Sequence, residues 1–149
     1  MESTKILMVC LGNICRSPLA QGILESKIFS NIWVDSAGTA AYHIGNHPDP
    51  RSIAVAKKHG IDISALRARQ FTSEDFKNFS HIYVMDLSNY SNVLALASNL
   101  EEKEKVQLIL PNNSEVPDPY YGGDESFDHC FNILNEACDQ ILKKLNHEK

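Results

Sequence analysis

The spacing of apolar residues changes period repeatedly along the chain. Residues 5–10 carry Ile6, Leu7, Met8 and Val9 as an unbroken apolar run, the pattern of a strand buried on both faces in a parallel sheet. From Pro18 the apolar positions become Leu19, Ile23, Leu24 and Ile28. That is helical spacing, and Ser17 before Pro18 reads as an N-cap followed by the preferred first helical residue. A strand over 32–35, a helix over 51–59 closed by Gly60, and a short helix opened by Thr72-Ser73-Glu74-Asp75 follow. Next come a buried strand over 81–85 and a helix with Tyr90, Val93, Leu94, Ala97 and Leu100 on one face. A fourth strand over 106–110 leads into a loop from 111 to about 125 rich in Pro, Gly and Asn. The last helix carries Phe127, Cys130, Phe131, Leu134, Cys138, Ile141, Leu142 and Leu145 as a long core-facing stripe. Strands alternating with helices predict an α/β fold, a four-stranded parallel sheet with helices on both faces. Such sheets bind ligands beyond the carboxyl ends of their strands, where both Cys10 and the loop after Leu110 fall. That geometry can bring Cys10 and Asp118 together.

Composition narrows the setting. The 149 residues, 43% of them hydrophobic, suit one globular domain with its own core. No window approaches the roughly 18 apolar residues of a membrane span, and Met1-Glu2-Ser3-Thr4-Lys5 lacks the basic-then-apolar layout of a signal peptide. A cytoplasmic protein with its four cysteines reduced is expected. A net charge of -5 argues against nucleic-acid binding through a general positive field, so an anionic substrate must be held by local groups. The six histidines form no group with metal-ligand spacing, and no metal or other cofactor is expected.

The segment Cys10-Leu11-Gly12-Asn13-Ile14-Cys15-Arg16-Ser17 supplies such local groups. It places a cysteine and an arginine at the ends of a loop that feeds a helix N-terminus. Successive backbone N–H groups there converge on one point, and the helix dipole adds partial positive charge, so the loop can cradle a phosphate. Gly12 lets the backbone turn closely around the anion, and Arg16 can hold two phosphate oxygens with its planar fork. The same field favours a thiolate at Cys10, and thiolate is the nucleophile. Ser17 is placed to donate a hydrogen bond to it, and Asn13 to brace the loop through its backbone.

Val9 through Pro18 resembles the signature loop of the low-molecular-weight protein tyrosine phosphatases, and Asp118-Pro119-Tyr120-Tyr121-Gly122 resembles their general-acid loop. Between them Asp35-Ser36-Ala37-Gly38-Thr39, Ile44-Gly45-Asn46, Ala68-Arg69-Gln70 and Met85-Asp86-Leu87-Ser88-Asn89 are similar to further family segments, in order. The resemblance implies hydrolysis of a phosphotyrosine-containing protein or peptide through a cysteinyl-phosphate intermediate, with inorganic phosphate as product and no metal. It also implies that Ser36 hydrogen-bonds the signature loop through Asn13, and that Cys10 and Cys15 can form a reversible protective disulfide. Many members carry a histidine in that supporting network where this chain has Leu66.

Within this frame Asp118 is the general acid. It protonates the leaving oxygen, an effect typically worth about 10²- to 10⁴-fold, and Pro117, Pro119 and the Gly122-Gly123 pair shape its loop. Tyr120 and Tyr121 offer aromatic surface for a phenyl ring. The resemblance favours Tyr121 as the pocket wall and Tyr42 as the aromatic facing it. Cys130 and Cys138 lie on the apolar face of the last helix and read as core residues. Two related activities share the fold. Arsenate reductases relay a disulfide to further cysteines in a middle segment, and none lies between Cys15 and Cys130. Phosphoarginine phosphatases tend to carry threonine where Ile14 stands. A phosphotyrosine-binding module without catalysis would be expected to lack Cys10, Arg16 or Asp118. A Cys10/Cys15 dithiol lacks the two-residue gap of thioredoxin-like motifs.

Overall fold

The computed structural model describes residues 4–28 and 31–147; Met1, Glu2 and Ser3, read above for the absence of a leader pattern, lie outside them. Among the described residues four strands, β1 (Thr4–Cys10), β2 (Ile32–Gly38), β3 (His81–Val84) and β4 (Val106–Leu108), are interspersed with six helices. The helices are α1 (Arg16–Lys27), α2 (Pro50–Lys58), α3 (Asp75–Asn78), α4 (Leu87–Leu94), α5 (Leu100–Glu104) and α6 (Asp124–His147). All pairings are parallel and the strand order is β2-β1-β3-β4. The chain runs from β1 outward to β2 and then returns across β1 to β3. The direction of winding thus reverses beside the carboxyl end of β1, the place where such sheets open a ligand crevice.

The apolar run of β1 is buried on both faces because helices cover both. Ile6, Met8 and Cys10 point into a core shared with α1, α2 and α6, while Leu7 and Val9 pack with Phe71, Phe76 and Val93 on the side of α3 and α4. The stripe of α6 is buried as expected, Leu142 at its edge only partly. Each large apolar side chain so withdrawn contributes about 1.5–3 kcal/mol.

Several boundaries differ from those the periodicity predicts. α1 begins at Arg16, so Ser17 is its second residue rather than its cap; Cys15 holds the cap position and makes no side-chain capping bond. The predicted helix running to Leu100 is divided. α4 is capped by Asp86, whose carboxylate accepts from Asn89 N at 2.7 Å, and α5 is capped separately by Asn99, which accepts from Glu102 N at 2.8 Å. Local capping overrides the apolar spacing, and Leu100 is left 69% exposed. β2 runs three residues further than expected because its end, Ser36 to Gly38, continues in register with Met8 to Cys10. Among the described residues no helix is long and apolar enough to cross a membrane.

Candidate active site

Cys10 is the last residue of β1, and the chain then turns through 11–15 into the first turn of α1. Asn13 makes this turn with φ of 58°, a left-handed conformation that Asn tolerates better than most residues. Its side chain locks the turn from both ends: Nδ2 donates to Ser17 Oγ at 2.7 Å and Oδ1 accepts from Arg69 N at 3.0 Å. Asn13 N donates to Cys10 Sγ at 3.3 Å, and Ser17 Oγ lies 3.0 Å from the same sulfur. Because Ser17 already accepts from Asn13, its proton is available to the sulfur, with Ala37 O, at 3.4 Å, as the alternative acceptor. With no side chain capping α1, the helix N-terminus stays open toward an anion.

Ser36 does not take the place the resemblance implies. Its hydroxyl donates to Gln21 Oε1 at 2.7 Å, and Gln21 Nε2 donates to Val34 O at 3.3 Å, so the pair ties β2 to α1. The partner of Asn13 is instead the backbone of Arg69. The Arg69 guanidinium is fixed by both oxygens of Asp75, each at 3.1 Å, and by Asp35 at 3.1 Å. Burial works against its charge, but Asp75 and Asp35 prevail and hold it charged. Leu66 packs half-buried against the apolar core.

Arg16 is buried, 3% exposed, yet its charge is well supported. Nη1 donates to Asp86 Oδ2 at 2.8 Å and to Val116 O at 2.9 Å, and Nη2 lies 3.7 Å from Asp118 Oδ2. Burial alone would lower its pKa, but the charges of Cys10, Asp86 and Asp118 together raise it. Asp118 follows Val116 by two residues, so the carbonyl that anchors Arg16 also fixes the base of the acid loop. Asp118 Oδ1 accepts from Tyr120 N at 3.1 Å. Gly122 is required by close approach, since a Cβ there would lie 2.1 Å from Ser126 Oγ.

These parts enclose one pocket of about 280 Å³, lined by the Cys10 loop, Arg16, Asp118 and the aromatic residues Tyr42, Tyr120 and Tyr121. Its size is near the small end for ligand sites, suited to a single side chain bearing a phosphate. Leu11, Gly12, Ile14 and Cys15 line it directly; Asn13 and Ser17 stand behind it as supports. Tyr121 is 93% exposed and Tyr42 76%, while Tyr120 meets Tyr121 edge-on at 5.0 Å. The three aromatics therefore form a rim rather than a closed slot.

Three residues with no role assigned from the sequence belong to the site. Asp86 anchors Arg16. His43 lines the pocket and packs against Gly12, where a Cβ would sit 2.9 Å from its Cδ2. Arg51, at the start of α2, reaches the acid loop. Asp86 carries a legible signal as the polar residue between a buried strand and a helix; His43 and Arg51 carry none. Cys15 is buried at the loop, and burial foremost, with the charges of Asp49, Cys10 and Asp118, pushes its thiol far up despite Arg51. Cys130 and Cys138 are core residues, their thiols pushed up to about 12 by burial. Among the described residues no group of three or more His, Cys, Asp or Glu is arranged to hold a metal ion.

A thiol at the mouth of an open helix N-terminus, a buried arginine at its side and a carboxylate across a shallow aromatic pocket make a site suited to holding a phosphate, on an α/β fold. Comparison with known proteins names the family. Residues 5–149 match the family described as low molecular weight phosphotyrosine protein phosphatase. The Schizosaccharomyces pombe low molecular weight phosphotyrosine protein phosphatase is 40% identical, with 97% of this chain and 98% of that protein covered. A solved protein tyrosine phosphatase from Entamoeba histolytica superposes with a TM-score of 0.90 at 37% identity, covering 98% of this chain and 99% of that one. Vibrio vulnificus Wzb in complex with benzylphosphonate superposes with a TM-score of 0.87 at 34% identity, covering 95% and 99%. The chain belongs to the low-molecular-weight protein tyrosine phosphatase family, and its activity is the dephosphorylation of phosphotyrosine.

Proposed function

We propose that the chain hydrolyses protein phosphotyrosine in two steps through a phosphate covalently held on Cys10. The reading rests on one observation: Cys10, Arg16 and Asp118 line a single pocket at the uncapped start of α1. The phosphate seats on the N–H groups of the loop, with the Nε–Nη2 edge of Arg16 against two of its oxygens, since Nη1 is engaged by Asp86 and Val116. Cys10 Sγ attacks phosphorus. The bond to the tyrosyl oxygen breaks, its electron pair stays on that oxygen, and Asp118 supplies the proton. In the second step Asp118 takes a proton from water, the resulting oxygen attacks phosphorus, and inorganic phosphate leaves as Cys10 recovers its thiolate. Throughout, Ser17 and the Asn13 N–H stabilise negative charge on the sulfur. Tyr42, Tyr120 and Tyr121 receive the phenyl ring and flanking peptide. The benzylphosphonate bound to the Vibrio vulnificus relative is an aryl-bearing phosphonate of similar shape, which supports this pose.

The decisive experiment is rapid quenching with a phosphotyrosine peptide labelled in its phosphate. Label should accumulate on Cys10 in the wild type. Cys10→Ser should bind phosphate but not turn over, and Cys15→Ser should keep most activity. Label found on another residue, or equal loss in the two variants, would refute the assignment.

A further inference from the structure

The geometry points to Arg51 as a positioning residue that ties the acid loop to the phosphate loop and thereby sets where Asp118 stands. This inference rests on Asp118 acting as the acid. Arg51 occupies the second position of α2, and its guanidinium is held on three sides. Asp49, itself only 8% exposed, accepts from Arg51 Nε at 3.0 Å through Oδ1 and from Nη2 at 3.0 Å through Oδ2. Nη1 donates to Gly122 O at 3.0 Å and Nη2 to Tyr120 O at 2.9 Å. The guanidinium also lies 4.4 Å from the centre of the Phe127 ring, a buried core residue, and 5.6 Å from that of Tyr120.

Both ends of this tether are functional. On one side Asp49 N donates to Ile14 O at 2.8 Å and Ser52 Oγ to Cys15 O at 3.3 Å, so the start of α2 is hydrogen-bonded to the back of the phosphate loop. On the other, the two carbonyls gripped by Arg51 flank Tyr121, and the N–H of Tyr120 is the one that Asp118 Oδ1 accepts from. Apart from this tether the loop is held at its base by Val116 and by the buried Pro119, while Asp118, Tyr120, Tyr121 and Gly122 are all exposed. A planar cation with several fixed donors suits this task, whereas a lysine offers only a point charge. Displacing a catalytic group by about 1 Å can cost on the order of 10²-fold in rate, so loosening this tether should weaken acid catalysis while leaving phosphate capture by the Cys10 loop intact.

The test is kcat over aryl phosphates of graded leaving-group pKa for wild type, Arg51→Gln, Arg51→Lys, Asp118→Ala and the Arg51→Gln/Asp118→Ala double variant. Arg51→Gln should lower kcat about 10- to 100-fold on a phosphotyrosine peptide but less than about threefold on an activated aryl phosphate, with a steeper leaving-group dependence. Arg51→Lys should behave closer to Arg51→Gln than to wild type. In the Asp118→Ala background the Arg51→Gln change should cost almost nothing more. Because Arg51→Gln leaves the buried Asp49 carboxylate without its partner, Asp49→Asn/Arg51→Gln provides a second variant free of that unpaired charge, expected to show the same steepening. A steep dependence for Asp118→Ala with parallel lines for both Arg51→Gln variants would overturn the role of Arg51 and leave the acid assignment standing. Parallel lines for Asp118→Ala itself would overturn the acid assignment, and the proposal for Arg51 with it.

Discussion

Asp86→Asn tests whether the arginine of the site is positioned by a partner outside the signature loop. Arg16 is 3% exposed and the Asp86 side chain 19%, and their nitrogen and oxygen lie 2.8 Å apart. A hydrogen bond to a charged group at such a site contributes about 1.5–3 kcal/mol. Asparagine keeps one oxygen, which can still cap α4 at Asn89 N, but the atom facing Arg16 Nη1 becomes an amide donor, so the acceptor is lost together with the charge. For a chain of this size each kcal/mol shifts Tm by about 2–4 °C, which gives a fall of about 3–12 °C. Asp86→Ala, which removes the cap and leaves Arg16 without its ion pair, should fall further, by about 3–5 kcal/mol. The same geometry predicts a second effect with the opposite sign. A phosphate bound at the loop becomes the replacement partner for Arg16, so inorganic phosphate should raise the Tm of Asp86→Asn more than that of wild type, through ordinary binding linkage. Thermal unfolding with and without millimolar phosphate measures both, and kcat on a phosphotyrosine peptide should fall as Arg16 loses its orientation. Equal Tm values in buffer, together with equal phosphate shifts, would refute the idea that Asp86 holds Arg16.

Gly38→Ala should disturb activity more than stability, because its Cβ would lie 2.8 Å from Leu11 O and 3.1 Å from Asn13 N, pressing on the backbone of the phosphate loop; phosphate affinity and kcat are the readouts. Peroxide should oxidise Cys10 to a sulfenic acid, which Cys15 captures with loss of water, so activity returns with a thiol reductant in wild type and not in Cys15→Ser, as mass spectrometry can show. Burial, and the neighbouring charges of Asp49, Cys10 and Asp118, keep Cys15 protonated before that step, so iodoacetamide near neutrality should leave it, Cys130 and Cys138 unmodified. Asp49 is held below the usual carboxylate range because its bonds to Arg51 outweigh its burial. Its folded form therefore binds fewer protons than its unfolded form near pH 4, and its contribution to stability is complete above that range and fades as pH falls through its folded value. Asp49→Asn should be destabilised near pH 7 and converge on wild type in acid, as denaturant unfolding at several pH values would show.

What was legible in the sequence was whatever depended on a short stretch of chain. The apolar run before Cys10, the stripe of α6 and the Gly-Asn turn are local patterns with local physical causes, and they placed the strand, the helix and the phosphate loop. Reading Ser17 as a cap failed because the loop leaves the start of α1 open, and the serine hydroxyl is turned toward Cys10 instead. The long helix after β3 failed because two capping residues, Asp86 and Asn99, outweighed an apolar spacing that merely happened to fit. The supports of the site were the least legible. Asp86 meets Arg16 across 70 residues and Arg51 meets Tyr120 across 69. No spacing rule connects residues so far apart until the sheet order has brought their strand ends together. Ser36 shows the opposite error, since Gln21, one turn beyond Ser17 on α1, claims its hydroxyl before Asn13 can.

On the proposed mechanism, the charges of the site require the acid and the phosphate loop to work as a unit. With Cys10 as thiolate and Asp86 and Asp118 ionised, the side chains within reach of Arg16 carry three negative charges against its one positive, a formal sum of -2. A phosphate dianion would be repelled by that set. Attraction must come from elsewhere, and two sources are at hand. The loop N–H groups and the uncapped end of α1 add partial positive charge without adding a side chain. The other source is a proton: if the acid enters the complex protonated, the formal sum rises by one and the proton is already located where the leaving oxygen will need it. Asp118 lies at the exposed edge of the pocket, 3.7 Å from Arg16, whereas Asp86 is engaged by Arg16 at 2.8 Å and by the cap of α4. Of the two carboxylates, Asp118 is the more exposed and the more loosely held by Arg16, which suits it to face the leaving oxygen.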